Sequence, residues 1–182
     1  MQTEILIAGF GGQGVLFAGQ VLAYAAMDAG HEVTWFPSYG PEMRGGTANC
    51  TVIIADEEIG SPLVAHPQIL MALNAPSLDR FEPQVKPGGL IVANASLLQR
   101  EVQRSDVQTL SLRANHVAES LGDRRMANMV MLGALLARWH GLTLAQVKAA
   151  LKAHLPARKQ HLLEANYQAL EAGAAQIEEL RN

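Results

Sequence analysis

ILIAGFGGQGV, residues Ile5 to Val15, joins a near-continuous apolar run to a loop packed with glycines. Strands buried on both faces of a parallel sheet read this way. The helical pattern that follows, Leu16, Ala18, Val21, Leu22, Ala25 and Ala26, closes at Gly30. A strand, a glycine turn and an immediate helix aim backbone N–H groups at the space above the turn, where anions are favoured. Gly9, Gly11 and Gly14 also satisfy G-x-G-x-x-G, the dinucleotide fingerprint. The same glycines would serve equally well to permit a tight turn and nothing more.

A dinucleotide site makes a second demand, an acidic residue closing the second strand about 20 residues on. Here the second strand reads Val33 to Phe36, is cut off by Pro37, and ends Trp35-Phe36-Pro37-Ser38. Glu32 sits at its wrong end, and no arginine stands ready for a 2′-phosphate. The fingerprint is present and its context is missing.

Working outward, Thr47 to Ala55 is a long β-branched strand, expected to run antiparallel to the rest. Asp56 to Pro62 reads as a turn with a short return strand, also expected to be antiparallel to the rest. Ile69 to Leu73 and Leu90 to Ala93 are further buried strands around a helix ending near Pro83, and Val107 to Leu112 an edge strand. Helices then follow over Asn115–Leu121, Arg125–His140, Leu144–His154 and about Arg158–Leu180, the third opened by a Thr143/Gln146 capping box. This order predicts a three-layer α/β/α fold around a mostly parallel, mixed sheet, with a helical C-terminal part and one domain over residues 1–182. In the last helix Leu163, Tyr167, Leu170, Ala174 and Ile177 form a coiled-coil-like seam, suited to the protein's own sheet or to another subunit. Glu164, Glu171 and Glu178 fall on another face.

With 49% hydrophobic and 17% charged residues, the chain has little polar side chain to cover a surface, so part of that surface is expected to meet a partner. A net charge of -3, with Arg124-Arg125 only a pair, argues against nucleic acid. The most apolar stretch, Met126 to Ala137, is interrupted by Asn128 and is shorter than the ~20 residues a bilayer span needs. The start of the chain lacks a secretory pattern, and a cytoplasmic location with no membrane contact is expected. The histidines show no metal-ligand spacing, so no metal site is expected. Cys50, the only cysteine, shares a strand face with Val52 and Ile54 and reads as a core thiol. One cysteine excludes an all-cysteine iron–sulfur cluster held by this chain alone. Asn128 reads as a partner for a backbone group at a helix end, or as a contact to another chain.

A second segment, SYGPEMRGG at Ser38 to Gly46, has no simple structural rationale. Tyr39, Glu42 and Arg44 lie where α/β folds often meet ligands or partners. The plainer reading is an exposed loop whose Glu42–Arg44 pair contributes well under about 1 kcal/mol.

Together, GFGGQGV at Gly9–Val15 and SYGPEMRGG resemble the gamma subunit of 2-oxoacid:ferredoxin oxidoreductases, the counterpart of domain III of the single-chain pyruvate enzymes. The resemblance continues through NMVMLGALL at Asn128–Leu136 and ARKQHLLEANYQALEAG at Ala157–Gly173, and it is nearest the 2-oxoglutarate branch. It implies a complex that oxidatively decarboxylates a 2-oxoacid on thiamine diphosphate and Mg. The acyl group passes to coenzyme A, and electrons pass through iron–sulfur clusters to ferredoxin. The implied partners are alpha and beta subunits, with a delta subunit where the enzyme has one, and homodimerisation of the isolated chain stays open. The thiamine signature Gly-Asp-Gly is missing, its nearest counterpart being Gly122-Asp123-Arg124. The chain is therefore expected to complete and assemble the complex without catalytic residues of its own. Gly11, Gly12, Gln13, Gly14, Ser38, Tyr39, Glu42 and Arg44 are its candidate ligand or subunit-contact residues. The competing readings are a stand-alone NAD(P) enzyme and a coenzyme A or phosphate-binding module.

Overall fold

The computed structural model describes residues 1–39 and 46–179. Glu42 and Arg44 lie outside the described residues, as does the side chain of Tyr39. The chain runs β1 (Gln2–Phe10), α1 (Val15–Asp28), β2 (Glu32–Tyr39), β3 (Thr47–Ala55), β4 (Ile69–Ala72), α2 (Ala75–Phe81), β5 (Leu90–Asn94) and β6 (Gln108–Leu112). It continues through α3 (Ala114–Ser120), α4 (Ala127–Trp139), α5 (Leu144–His154) and α6 (Leu163–Glu179). The six strands form one sheet in the order β2-β3-β1-β4-β5-β6. β3 pairs antiparallel with both its neighbours, while β1, β4, β5 and β6 pair in parallel. The mixed three-layer α/β fold expected from the sequence is the one observed.

Three local readings need correction. β2 does not stop at Pro37 but runs on to Tyr39, so Ser38 and Tyr39 are strand residues opposite Asn49 and Ala48. β2 is an edge strand, where a residue lacking an N–H is tolerated. No return strand follows Asp56. Residues 56–68 form bends, because three successive acidic residues and two prolines offer neither an apolar face nor a full set of donors. The last helix begins as a 3-10 turn over Ala157–Leu162, and the α-helix starts only at Leu163. The Thr143/Gln146 capping box is present with both of its hydrogen bonds.

Strand alternation sorts the core onto two faces. Ile5, Ile7, Cys50, Val52, Met71 and Val92 point to the face covered by α1, α4, α5 and α6. Leu6, Ala8, Leu70, Ala72, Ile91 and Ala93 point to the other, covered by α2 residues Leu78 and Phe81 and by Leu98, Val102 and Val107. The layers are unequal, and Phe36 on β2 stays 47% exposed. α4 is apolar all round, with residues 128–136 all buried, as a helix enclosed by other elements must be. α6 packs on it through Asn166, Ala169, Leu170 and Ile177, so the seam read from the sequence is used within this chain. No helix among the described residues is long and apolar enough to cross a membrane.

On the thin side of the sheet a single carboxylate pins the connection between β5 and β6. Glu82, almost fully buried, accepts from the N–H groups of Gln103 (2.6 Å) and Arg104 (3.1 Å) and pairs with Arg100 (2.6 Å). Glu82→Gln keeps an acceptor for the backbone amides but turns an NH₂ group toward the guanidinium. The expected cost is about 1–2 kcal/mol. Thermal unfolding of wild type and variant checks this, and a midpoint shift of about 3–6 °C is expected.

Candidate functional site

The carboxyl end of β1 and the start of α1 are joined by four residues whose backbone is fully tied down at two points. The Gly11 N–H donates to Gly46 O (3.0 Å), and the Gln13 N–H donates to Phe10 O (3.1 Å). Gly12 and Gly14 take positive φ values of 94° and 74°, the left-handed region that glycine enters without penalty. No side chain caps α1, so its first N–H groups have no capping partner among the described residues.

The fingerprint glycines divide into two kinds. A Cβ at Gly9 would lie 2.7 Å from Gln13 Oε1, and one at Gly14 would lie 2.3 Å from Asn128 Nδ2. These two glycines make room for amide side chains rather than for a ligand. Gln13 Oε1 accepts from the Phe10 N–H (2.6 Å) and from Asn74 Nδ2 (3.0 Å), and Asn128 Nδ2 donates to Gly14 O (3.1 Å). Asn128 thus pairs with a backbone group at a helix end. Gly12 differs: it is exposed, and nothing lies within 4 Å of where its Cβ would be.

Gly12 stands between two cavities of contrasting chemistry. One, of about 290 Å³, is mostly apolar and lies between the glycine loop, Leu16 and Phe17 of α1, and Gly46 to Ala48 at the start of β3. The other, of about 250 Å³, is the more polar of the two and lies over the carboxyl ends of β4 and β5, against Gln13, Asn94, Asn115, Arg124 and Arg125. Arg125 binds Asp123 (2.8 Å) and holds that carboxyl below its usual range. Arg124 is only loosely paired with Glu119 (3.5 Å). Asn115 can turn its amide oxygen to Asn94 Nδ2 (2.8 Å) or to Arg124 Nε (3.0 Å), but not to both. An anion entering this cavity would therefore meet a guanidinium that the protein does not fully satisfy.

A larger cavity, of about 420 Å³, opens at the amino ends of the strands. Its cations are already engaged, Lys86 with Glu4 (2.6 Å) and Arg138 with Gln108. In open α/β sheets ligands gather at the carboxyl ends, which favours the glycine-loop side.

Of the residues singled out from the sequence, Gly11, Gly12, Gln13 and Gly14 form this site together. Ser38 and Tyr39 stand at the end of β2, level with Asn49 and Ala48. β3 separates them from β1, a displacement of about 10 Å at ordinary strand spacing. The inserted β3 also gives a structural reason why the dinucleotide fingerprint lacks its partner. In a dinucleotide fold the second strand lies beside the first and brings its terminal acid to the ribose. Here that neighbour is antiparallel β3, and β2 carries its one acid, Glu32, at the opposite end.

Asn74, Asn94 and Asn115 are not candidates in the sequence, and Arg124-Arg125 figures there as too small a pair for nucleic acid, with Arg124 also ending the nearest counterpart of the missing thiamine signature. A signal existed for the first two, since Asn94 closes a short apolar strand and Asn74 follows another after a single residue. Cys50 is a core thiol, fully buried, and burial pushes its pKa up to about 12. Among the described residues no three His, Cys, Asp or Glu side chains are grouped to hold a metal.

The fold and the loop define a class: an α/β domain with one antiparallel strand beside β1 and an amide-braced glycine loop at the carboxyl edge of its parallel strands. Residues 4–176 match the family model for pyruvate ferredoxin/flavodoxin oxidoreductase, and the chain belongs to that family. It is 41% identical over 174 residues to the ketoisovalerate oxidoreductase subunit VorA of Methanothermobacter thermautotrophicus, covering 95% of this chain and 36% of that one. The chain thus spans about a third of the length of that relative. It is 36% identical to the 2-oxoglutarate synthase subunit KorC of Methanothermobacter marburgensis, over 98% of both chains. The gamma subunit of a keto/oxoacid ferredoxin oxidoreductase from Geobacter sulfurreducens has the same fold, with a TM-score of 0.86 and 27% identity over 98% of each chain. The identities do not favour 2-oxoglutarate over ketoisovalerate.

Proposed function

We propose that this chain is the gamma subunit of an assembly that oxidatively decarboxylates a 2-oxoacid to an acyl-CoA and passes the electrons to ferredoxin. Thiamine diphosphate with its Mg, and the iron–sulfur clusters, belong in this reading to alpha and beta subunits. This chain carries one cysteine, which is buried, and no grouped metal-ligating side chains among the described residues. Its own share is assembly and a part of the coenzyme A site. Family membership carries the first statement. The pair of cavities on either side of Gly12 carries the second.

Coenzyme A has an anionic end, with three phosphates, and a long neutral arm. A basic cavity and an apolar cavity meeting at an open glycine accept those two parts together. The phosphates would face Arg124 and Arg125 beside Gly12, where charge-assisted hydrogen bonds are available. The neutral arm would follow Leu16 and Phe17. Tyr39, Glu42 and Arg44 are proposed to close this site or to meet a neighbouring subunit.

Gly12→Asp tests the coenzyme A reading. Aspartate tolerates left-handed backbone better than most residues, and the open space around Gly12 leaves room for it. Its carboxylate would oppose the phosphates. In the assembled enzyme the KM for coenzyme A should rise at least about tenfold, about 1.4 kcal/mol, while the left-handed backbone at Gly12 costs about 1–2 kcal/mol of stability. An unchanged coenzyme A KM would reduce the loop to a docking or structural role. Calorimetry of the isolated chain with NADH and NADPH should show no binding at micromolar concentrations. Purification from the native source should bring thiamine- and cluster-containing chains with it, and a lone homodimer would count against the assembly.

A further inference from the structure

We propose that Gln13 and Asn74 are positioning residues, whose amide–amide bond fixes the Gly11–Gly12 turn to the β4–α2 junction and so sets where the turn meets a coenzyme A phosphate. The inference rests on the coenzyme A reading given above.

The geometry leaves neither amide a free choice. Asn74 is almost fully buried and caps α2, its Oδ1 accepting from the Ser77 N–H at 2.9 Å. Turning that amide over would set an NH₂ group against an N–H, so Asn74 Nδ2 must point at the glycine loop. There it donates to Gln13 Oε1 (3.0 Å), which already accepts from the Phe10 N–H (2.6 Å). Two donors converge on one oxygen, which fixes the Gln13 amide as well. Gly9 completes the arrangement, since any side chain there would occupy the place of Gln13 Oε1. The junction is tied to β1 a second time by the Leu73 N–H, which donates to Ala8 O (2.9 Å). Gln13 therefore acts through the loop, its oxygen being committed inward. Asn74 is the anchor, one strand away from the turn it steadies. A loop held from below in this way meets an anion in a single preset geometry, which lowers the ordering cost of binding.

Asn74→Asp isolates the bond. The aspartate is nearly isosteric and still accepts from the Ser77 N–H, but it presents an oxygen to Gln13 Oε1 where a donor stood. In the assembled enzyme the expected result is a roughly tenfold rise in the KM for coenzyme A, the size of one lost hydrogen bond. The kcat should stay within about twofold and the KM for the 2-oxoacid should not move, which is the pattern of lost ground-state positioning. Amide hydrogen exchange at Gly11 to Gly14 should become faster. Gln13→Met should reproduce both effects, and the double variant should be no worse than Gln13→Met alone, because both changes remove one shared interaction. If exchange and coenzyme A KM both stay at wild-type values in Asn74→Asp and in Gln13→Met, the positioning role is wrong, whatever Gly12→Asp does. If exchange quickens but neither Asn74→Asp nor Gly12→Asp alters the coenzyme A KM, the clasp is real and the coenzyme A reading falls, taking the ligand part of this inference with it.

Discussion

Gly173→Ala should lower the unfolding temperature by about 6–12 °C, the equivalent of roughly 3 kcal/mol for a chain of this size. On an exposed helix the same change is favourable by up to about 1 kcal/mol, because glycine is the poorer helix former. The sign reverses here because α4 and α6 touch backbone to backbone. A Cβ at Gly173 would lie 1.9 Å from Val130 O, and one at Gly133 would lie 2.0 Å from Leu170 O. Neither atom it meets is the end of a flexible side chain, so α6 would have to move as a body. That movement would draw Ala169, Leu170 and Ile177 away from a helix with no solvent-facing side to spare. Overpacking of this kind typically costs 1–3 kcal/mol, and a backbone obstacle places it at the upper end. Circular dichroism melts of wild type, Gly173→Ala and Gly133→Ala decide the matter. Stabilisation by either variant would mean that the two helices are not in contact at this crossing.

That crossing shows where sequence patterning stops being informative. The spacing of Leu163, Tyr167, Leu170, Ala174 and Ile177 marks α6 as amphipathic, and Leu170 and Ile177 are indeed buried. A count of apolar residues gives no weight to glycine, however, so the actual line of closest approach through Gly133 and Gly173 left no trace in it. The strands were easier. Buried apolar runs located β1, β4 and β5, and the β-branched length of Thr47 to Ala55 pointed to the one antiparallel strand. Their order was not legible, because periodicity records which face a residue takes and not which strand lies beside it. The placement of β3 between β2 and β1 was therefore a finding, and it bears on function, since it removes the ribose-binding geometry of a dinucleotide fold.

The candidate site was half legible for a related reason. Glycines clustered in sequence announce a loop, and Gly11 to Gly14 do form one. The side chains that shape it come from four separate places: Asn74 after β4, Asn94 at the end of β5, Asn115 in α3 and Asn128 in α4. Asn128 stands out in the sequence as an amide within an apolar stretch, but Asn74, Asn94 and Asn115 are unremarkable single amides. They come together because parallel strands end along the same edge of the sheet, which places everything that follows each strand in one neighbourhood.

Gly14→Ala tests how much the loop depends on these amides. Two costs add at this position. Alanine at a φ of 74° is strained by about 1–2 kcal/mol. Its Cβ would stand 2.3 Å from Asn128 Nδ2, so the Asn128 amide must leave Gly14 O. Asn128 is 4% exposed, and a buried amide without its partner costs about 1–3 kcal/mol more. A loss of about 2–4 kcal/mol is therefore expected, in contrast to the strain alone for Gly12→Asp, about 1–2 kcal/mol, although both glycines are left-handed. The difference lies in what surrounds them: open space at Gly12, and a committed side chain at Gly14. Adding Asn128→Ala to Gly14→Ala separates the two costs, because it removes the obstacle and leaves the strain. The double variant should then be more stable than the sum of the single losses by about 1–2 kcal/mol, a coupling of the size found for residues in direct contact. Simple additivity would mean that the Asn128 amide does not occupy the space over Gly14, and the account of that glycine as room made for a brace would have to be abandoned.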